Sequence, residues 1–149
     1  MGYTIKKLSP EDVSLAKQLF IYFQIDDGIE NPIIPSDNYL GNLLSKGSFH
    51  VFVALEDNLV IGGITGYELE MYKESENEMF LYEIAVHENH RQNGIGSKLI
   101  GELKKLCVEK NISVMFVGTS TDNKAAIQLY KATGGEMELI PWFVYDLKK

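Results

Sequence analysis

A chain of 149 residues that is 45% apolar and 23% charged is long enough to bury a sizeable core and reads as one globular domain over residues 1–149. Its net charge of −7 argues against a nucleic-acid binder, which is usually basic, and no stretch reaches the length of a membrane span. The charge is uneven. Residues 1–86 carry 5 basic and 14 acidic side chains, net −9, and residues 91–131 carry 7 basic and 3 acidic, net +4. That split fits an anionic cofactor held by the second half and a cationic substrate met by the first.

In chain order, Tyr3 to Leu8 alternates and predicts a first strand. Ser9-Pro10-Glu11-Asp12 reads as a helix start with Ser9 as the cap. Val13, Ala16, Leu19, Phe20 and Phe23 supply the apolar face, and Asp26-Asp27-Gly28 ends the helix. Residues 28–36, with two prolines, are loop. Asp37 to Leu44 predicts a second short helix packing through Tyr39, Leu40, Leu43 and Leu44. No Lys or Arg occurs from Gln18 to Ser45, whereas Asp26, Asp27, Glu30 and Asp37 do; this acidic region is a candidate wall for a polycationic ligand. Phe49 to Leu55 and Leu59 to Leu69 predict a hairpin around Glu56-Asp57-Asn58. Gly62, Gly63 and Gly66 inside its second strand point to a bulge or a close approach.

The stretch from Leu81 to Ser97 organises the rest. It opens as a strand that is apolar on both faces, hence buried in a sheet. A polar turn from His87 to Asn93 follows, and Gly94-Ile95-Gly96-Ser97 leads into a helix to Lys110 with Ile95, Leu99, Leu103, Leu106 and Cys107 on one face. Strand, glycine-rich turn and helix start make an anion site, because unpaired N–H groups at a helix N-terminus point at the bound group. The spacing is neither a P-loop nor a dinucleotide fingerprint: no Lys follows the second glycine, and Leu99 stands where a third would be. Asn111 is a stop for this helix. Ile112 to Val117 predicts a buried strand, Asp122 a cap for a helix over residues 123–133, and Glu136 to Leu147 a closing strand interrupted by Pro141. The single cysteine, Cys107, reads as a buried reduced thiol rather than a nucleophile. Met1 to Ile25 shows no signal-peptide pattern, which with the lone thiol points to the cytoplasm. No His, Cys or Asp cluster has metal-site spacing.

Arg91-x-x-Gly94-x-Gly96 on a strand–helix junction, followed by Asn123-x-x-Ala126-x-x-x-Tyr130 and Gly134, resembles motifs A and B of the GCN5-related N-acetyltransferase (GNAT) superfamily. Within it, Asp37-x-Tyr39-Leu40-Gly41-Asn42-Leu43-Leu44, Tyr82-Glu83-Ile84-Ala85-Val86, His90-Arg91-x-x-Gly94-Ile95 and Ala126-x-x-Leu129-Tyr130 look most like the type I aminoglycoside 3-N-acetyltransferases, the gentamicin-acetylating group tied to antibiotic resistance. Two positions depart from that group's pattern: Glu83 stands in place of Asp, and Gly135 in place of an aromatic or aliphatic residue. The likeness runs over essentially the whole chain. It implies an α/β fold with a mixed, mostly antiparallel sheet of six to seven strands and helices on both faces. It also implies acetyl-CoA as cofactor and transfer of its acetyl group to an amine, most readily the 3-amino group of an aminoglycoside. A polyamine, another small amine or a protein N-terminus is the alternative acceptor, and an acyl-CoA-binding module without chemistry is the non-enzymatic one.

The resemblance also distributes roles. The backbone of Ile84, Ala85 and Val86 pairs with pantetheine like an added strand, with Val86 N–H a candidate donor to the acyl oxygen. The amides of Gln92, Asn93, Gly94, Ile95, Gly96 and Ser97, with charge from Arg91, cup the pyrophosphate. Asn123, Ala126 and Tyr130 complete the cofactor side. Glu83 interrupts an apolar strand, where an ionisable group is expensive unless paired or used; it is a direct base, a water-mediated base or an anchor for the substrate ammonium. Tyr130 is the candidate proton donor to the leaving sulfur, and Asp26, Asp27, Asp37 and Glu83 form the acceptor side. His87 and His90 read as turn histidines. The family likeness also suggests a homodimer, with Pro141-Trp142-Phe143-Val144 either an interface or a core strand.

Overall fold

The computed structural model describes residues 2–73 and 75–148. Among the described residues, five strands and four helices follow one another as β1 (Thr4–Lys7), α1 (Val13–Asp26), α2 (Asp37–Leu44), β2 (Phe49–Glu56), β3 (Leu59–Glu70), β4 (Asn77–Val86), α3 (Ile95–Glu109), β5 (Met115–Phe116) and α4 (Lys124–Ala132), with a 3-10 turn at Glu88–His90 between β4 and α3. The strands lie in sequence order in one sheet. β1 to β4 are antiparallel neighbours, and β5 runs parallel to β4.

The period-2 alternation of the strands sorts the core into two layers. Phe49, Val51 and Val53 of β2 pack with Ala16, Leu19 and Phe23 of α1 and Leu44 of α2. Phe52 and Ala54, on the opposite face, pack with Ile95, Leu99, Leu103 and Cys107 of α3. The sheet is therefore covered on both faces, as the near-continuous burial of β2 and β3 requires.

The hairpin between β2 and β3 turns through Asp57 and Asn58, both in the left-handed region at φ 52° and 64°. Two successive positive φ values suit the right-handed twist of the flanking strands. The glycines of β3 mark close approach. A Cβ on Gly63 would stand 2.5 Å from Leu19 Cδ1 and 2.9 Å from the Phe52 carbonyl oxygen, and one on Gly66 would meet the Met79 sulfur at 2.9 Å. The register also slips at Thr65/Gly66, so bulge and close approach coexist in this strand.

Several expectations are corrected. Ser9 does not cap α1. The helix begins at Val13 with Asp12 as the capping position, and the Asp12 carboxylate accepts from the backbone N–H and the hydroxyl of Ser9. Tyr39 is not a packing residue of α2, being 59% exposed, whereas Leu40 and Leu44 are buried. Asn123, not Asp122, caps α4, its Oδ1 accepting from Ala126 N–H at 3.1 Å. The strand expected over Ile112–Val117 pairs only at Met115 and Phe116, and Val114 and Phe116 are exposed. Glu136 to Leu147 forms no strand among the described residues, so the sheet has five strands rather than six to seven. The common reason is that both segments lack a neighbour on the β5 side of the sheet.

Candidate active site

The site begins at the end of β4. His87 N–H donates to the Ile61 carbonyl at 2.8 Å, and Ala85 and Glu83 face Gly63 and Thr65 in the same ladder. Antiparallel strands alternate the direction of their hydrogen-bonding groups. Ile84 and Val86 therefore turn their N–H and C=O groups towards the other edge of β4. On that edge β5 pairs only with Met79 and Phe80, and the two strands part beyond Phe80. The Val86 carbonyl accepts from Arg91 Nε at 2.8 Å and from the Tyr22 hydroxyl at 3.3 Å. Both backbone groups of Ile84 and the N–H of Val86 face an edge with no strand on it.

The loop into α3 supplies the second half. Gln92 and Gly94 sit in the left-handed region at φ 64° and 78°, which turns the chain sharply before Ile95 begins the helix. No side chain caps α3. Lys98 N–H is the first amide bonded back, to Gly94 O at 3.0 Å, so the N–H groups of Ile95, Gly96 and Ser97 have no intrahelical acceptor. A Cβ on Gly96 would come within 3.2 Å of Leu129; the glycine lets α4 close on this turn. Uncapped donors at the positive end of a helix, beside an open strand edge, suit a phosphorylated carrier with an extended amide-bearing arm.

The end of α1 that meets β4 is acidic. Burial, and then the charge and hydrogen bonding of the neighbouring Asp27 and the charge of Asp26, push the Glu83 carboxyl up to about 7. Asp26 and Asp27 stand at the C-terminus of α1, which has no basic residue in its last turn. Three carboxylates thus gather at the negative end of a helix dipole, an arrangement that a cation would relieve. Tyrosines frame it. Tyr67 stands edge-on to Tyr82, ring centroids 5.6 Å apart, and its phenol is raised by burial, with Tyr82, Tyr39 and Glu83 as its interacting neighbours.

The remaining candidates fall as follows. Asp37 is paired with Lys17 of α1, so it is not a free carboxylate of this wall. Arg91 turns its guanidinium onto Asp26 (3.1 Å) and the Tyr22 hydroxyl (3.2 Å). Tyr22 in turn lies over His87 with ring centroids 3.9 Å apart. Burial, with His90 and Arg91 nearby, pushes the His87 imidazole down, and His90 Nε2 lies 3.1 Å from Glu56 Oε1. Tyr22, Asp26, His87, His90 and Arg91 line a cavity of about 510 Å³ between α1 and the loop. Tyr130, on α4, is half-buried against the α3 layer, and burial raises its phenol above the usual range, so it carries its proton at neutral pH. Ala126, one turn earlier, shares its face. Cys107 is buried and its thiol pushed up by burial, which leaves it unreactive. Tyr22 and Tyr67 escape a reading by motif. Only the meeting of α1 with β4, and of β3 with β4, gives them a role, and their local sequence carries no signal for it.

Residues 16–134 match the sequence model of the Acetyltransferase (GNAT) family. The chain belongs to that family, whose members use acetyl-CoA as acyl donor. Its fold is similar to that of an aminoglycoside acetyltransferase from an uncultured soil metagenomic sample, solved in complex with trehalose: 32% identity, TM-score 0.93, covering 98% of this chain and 97% of the other. The complex described with sisomicin gives 31% identity and the same TM-score and coverage. In sequence the chain is similar to the probable N-acetyltransferase family 8 member 5 of Mus musculus, 28% identical over 109 residues, 68% of this chain and 47% of that protein. It is likewise similar to the probable N-acetyltransferase camello of Xenopus laevis, 30% identical over 112 residues, 75% of this chain and 45% of that protein. The chain spans about half the length of these curated relatives.

Proposed function

We propose that this chain is an acetyl-CoA-dependent N-acetyltransferase whose acceptor is an aminoglycoside, acetylated at its 3-amino group. The observation that carries the reading is the half-buried Glu83 carboxyl, raised to about 7 beside Asp27, next to the open edge of β4. The similarity to an aminoglycoside acetyltransferase over nearly the full length of both chains supports the acceptor class. The 3-amino regiochemistry rests on the Asp37–Leu44 resemblance.

Acetyl-CoA supplies an acyl carbon activated as a thioester. In this reading the amides of Gln92 to Ser97 hold the pyrophosphate, and Arg91 adds positive charge at the same turn. Ile84, held in place by its neighbour Ala85 in the β3 ladder, offers both of its backbone groups to the pantetheine arm, and Asn123 and Ala126 line the cofactor side on α4. Asp26, Asp27 and Glu83 draw the polycationic acceptor to the negative end of α1. Glu83, with a pKa matched to neutral pH, takes a proton from the substrate ammonium and so frees the lone pair that attacks the acyl carbon. Val86 directs an N–H to the acyl oxygen. Tyr130 gives its phenol proton to the departing sulfur and is restored by the second proton the nitrogen loses as it becomes an amide, and the proton held at Glu83 returns to solvent. The net change is one N–C bond made, one S–C bond broken and one proton released.

A thiol-release assay tests this with gentamicin-type aminoglycosides, spermidine and a peptide N-terminus side by side. Turnover on the aminoglycoside with acetylation mapped to the 3-amino group is expected. Turnover confined to spermidine or the peptide would replace the acceptor, and CoA binding without thiol release on any amine would replace the enzyme by a binding module.

A further inference from the structure

Past Phe80 the strand β4 has no β5 neighbour, yet its last peptide is held on every side. The N–H of His87 donates to the Ile61 carbonyl at 2.8 Å. The Val86 carbonyl, at the other end of the same peptide, accepts from Arg91 Nε at 2.8 Å and from the Tyr22 hydroxyl at 3.3 Å. Gly62 lies against the same residue. A Cβ there would stand 2.9 Å from the Ala85 carbonyl oxygen and 3.2 Å from Val86 Cα. β3 therefore seats Val86 on bare backbone. Both polar groups of the Val86–His87 peptide are satisfied, one by β3 and one by side chains from outside the sheet.

Tyr22 reaches this peptide from α1, 64 residues away in sequence. The helix is a fixed platform, since Ala16, Leu19 and Phe23 are buried against the sheet. The hydroxyl has one proton to give. Asp26 Oδ1 lies 3.5 Å from it and already accepts from Arg91 at 3.1 Å. Arg91 also donates to the Tyr22 oxygen, at 3.2 Å. The Tyr22 proton therefore goes to the Val86 carbonyl, the nearer acceptor. Burial, and then the charge of Asp26, raises the phenol, so that proton is in place at neutral pH. The ring acts as well, lying over the His87 imidazole with centroids 3.9 Å apart. One side chain of α1 thus grips both residues of the peptide, by its hydroxyl and by its ring face.

We infer that Tyr22 is a positioning residue for acyl transfer: from α1 it fixes the Val86–His87 peptide, and so sets the direction in which Val86 presents its N–H to the acyl oxygen. The chemistry rests on the acetyl-transfer reading, and the hold rests on the contacts alone. The N–H and C=O of one strand residue face the same edge, so a side chain that pins the carbonyl also aims the N–H. An aimed donor stabilises a developing oxyanion because nothing has to reorganise as the charge forms. Tyr22 acts through Val86, not on the reacting atoms.

The test is Tyr22→Phe, which keeps the ring and removes the one proton. The Val86 carbonyl ¹³C resonance, read through the His87 amide in a triple-resonance spectrum, should move upfield as the carbonyl loses a donor. With acetyl-CoA and a gentamicin-type aminoglycoside, kcat should fall about tenfold. Calorimetric CoA affinity and acceptor KM should not change, because Asp26 keeps Arg91. The double variant Tyr22→Phe/Arg91→Ala leaves the carbonyl with neither side-chain donor. Its kcat should fall by more than the product of the two single effects. A tyrosine that only fills space would lower the melting temperature and leave both kcat and the carbonyl resonance in place. A parental kcat in Tyr22→Phe, an unmoved resonance, or single effects that simply multiply would each overturn the inference. Should the parent turn over no amine at all, the acetyl-transfer reading fails separately, and the carbonyl resonance still decides whether Tyr22 holds the peptide.

Discussion

The Arg91 guanidinium lies 3.1 Å from the Asp26 carboxylate while its Nε donates to the Val86 carbonyl, so one side chain ties the loop before α3, the end of β4 and the acidic end of α1 together. Both partners are about half exposed. Such a pair contributes little to stability, below about 1 kcal/mol, and its value is positional. We expect Asp26→Asn to raise the acceptor KM about tenfold, from lost charge and lost tethering, with the melting temperature nearly unchanged. Arg91→Ala should raise the acceptor KM as well as weaken CoA. Acceptor KM and calorimetric CoA affinity, measured on both variants, check this. An acceptor KM untouched by Arg91→Ala would leave that residue to the carrier alone.

Glu83→Gln should lower kcat by about 10²-fold or more, the usual scale for removing a general base. In the parent, kcat/KM should climb as pH rises through about 7, where Glu83 loses its proton, and the Gln variant should lose that inflection. If the inflection persisted, the base would be another group.

The same carboxyl predicts the pH dependence of stability. Its folded pKa lies above the unfolded value of 4.5, so the folded state binds the proton more tightly. Its stabilising contribution is complete below about 4.5 and is lost as pH rises through about 7. Above that, folding must hold a desolvated charge beside Asp27. Glu83→Gln should therefore be more stable than the parent at pH 8, by roughly 1–2 kcal/mol once solvent screening of a half-buried carboxyl is discounted, and no more stable at pH 4. Urea midpoints at the two pH values measure the difference.

Tyr130→Phe keeps the ring and removes the phenol proton. A fall in kcat of roughly 10- to 100-fold with CoA affinity unchanged is expected for loss of a proton donor. A stability loss with normal kcat would mark Tyr130 as a core residue only.

Gly63→Ala tests the close approach of α1 to the sheet. The new methyl would meet fully buried Leu19 and the Phe52 carbonyl, and overpacking of this kind costs about 1–3 kcal/mol. Because α1 carries Asp26 and Asp27, acceptor KM should rise in the same variant. Denaturant titration and KM together report both effects.

Local pattern carried much of this molecule. The helix over Asp37–Leu44, the hairpin around Asp57-Asn58 and the turn from His87 into the helix at Ile95 are written in nearest-neighbour chemistry: apolar periodicity, turn residues and a glycine at positive φ. The ionisable position inside β4 was visible for the same reason, since a carboxylate in an apolar run is conspicuous. Tertiary structure decided the rest. Asp37 looked free because its partner, Lys17, lies on another helix. Tyr22 looked unremarkable because its hydroxyl acts only where α1 meets Val86 and Arg91. The raised Glu83 exists only because packing buries its carboxyl and then puts Asp27 beside it. The final segment has the composition of a strand, yet composition cannot choose a partner. Strand pairing is a relation between distant segments, and charge or hydrogen bonding across space is set by the fold that brings its members together.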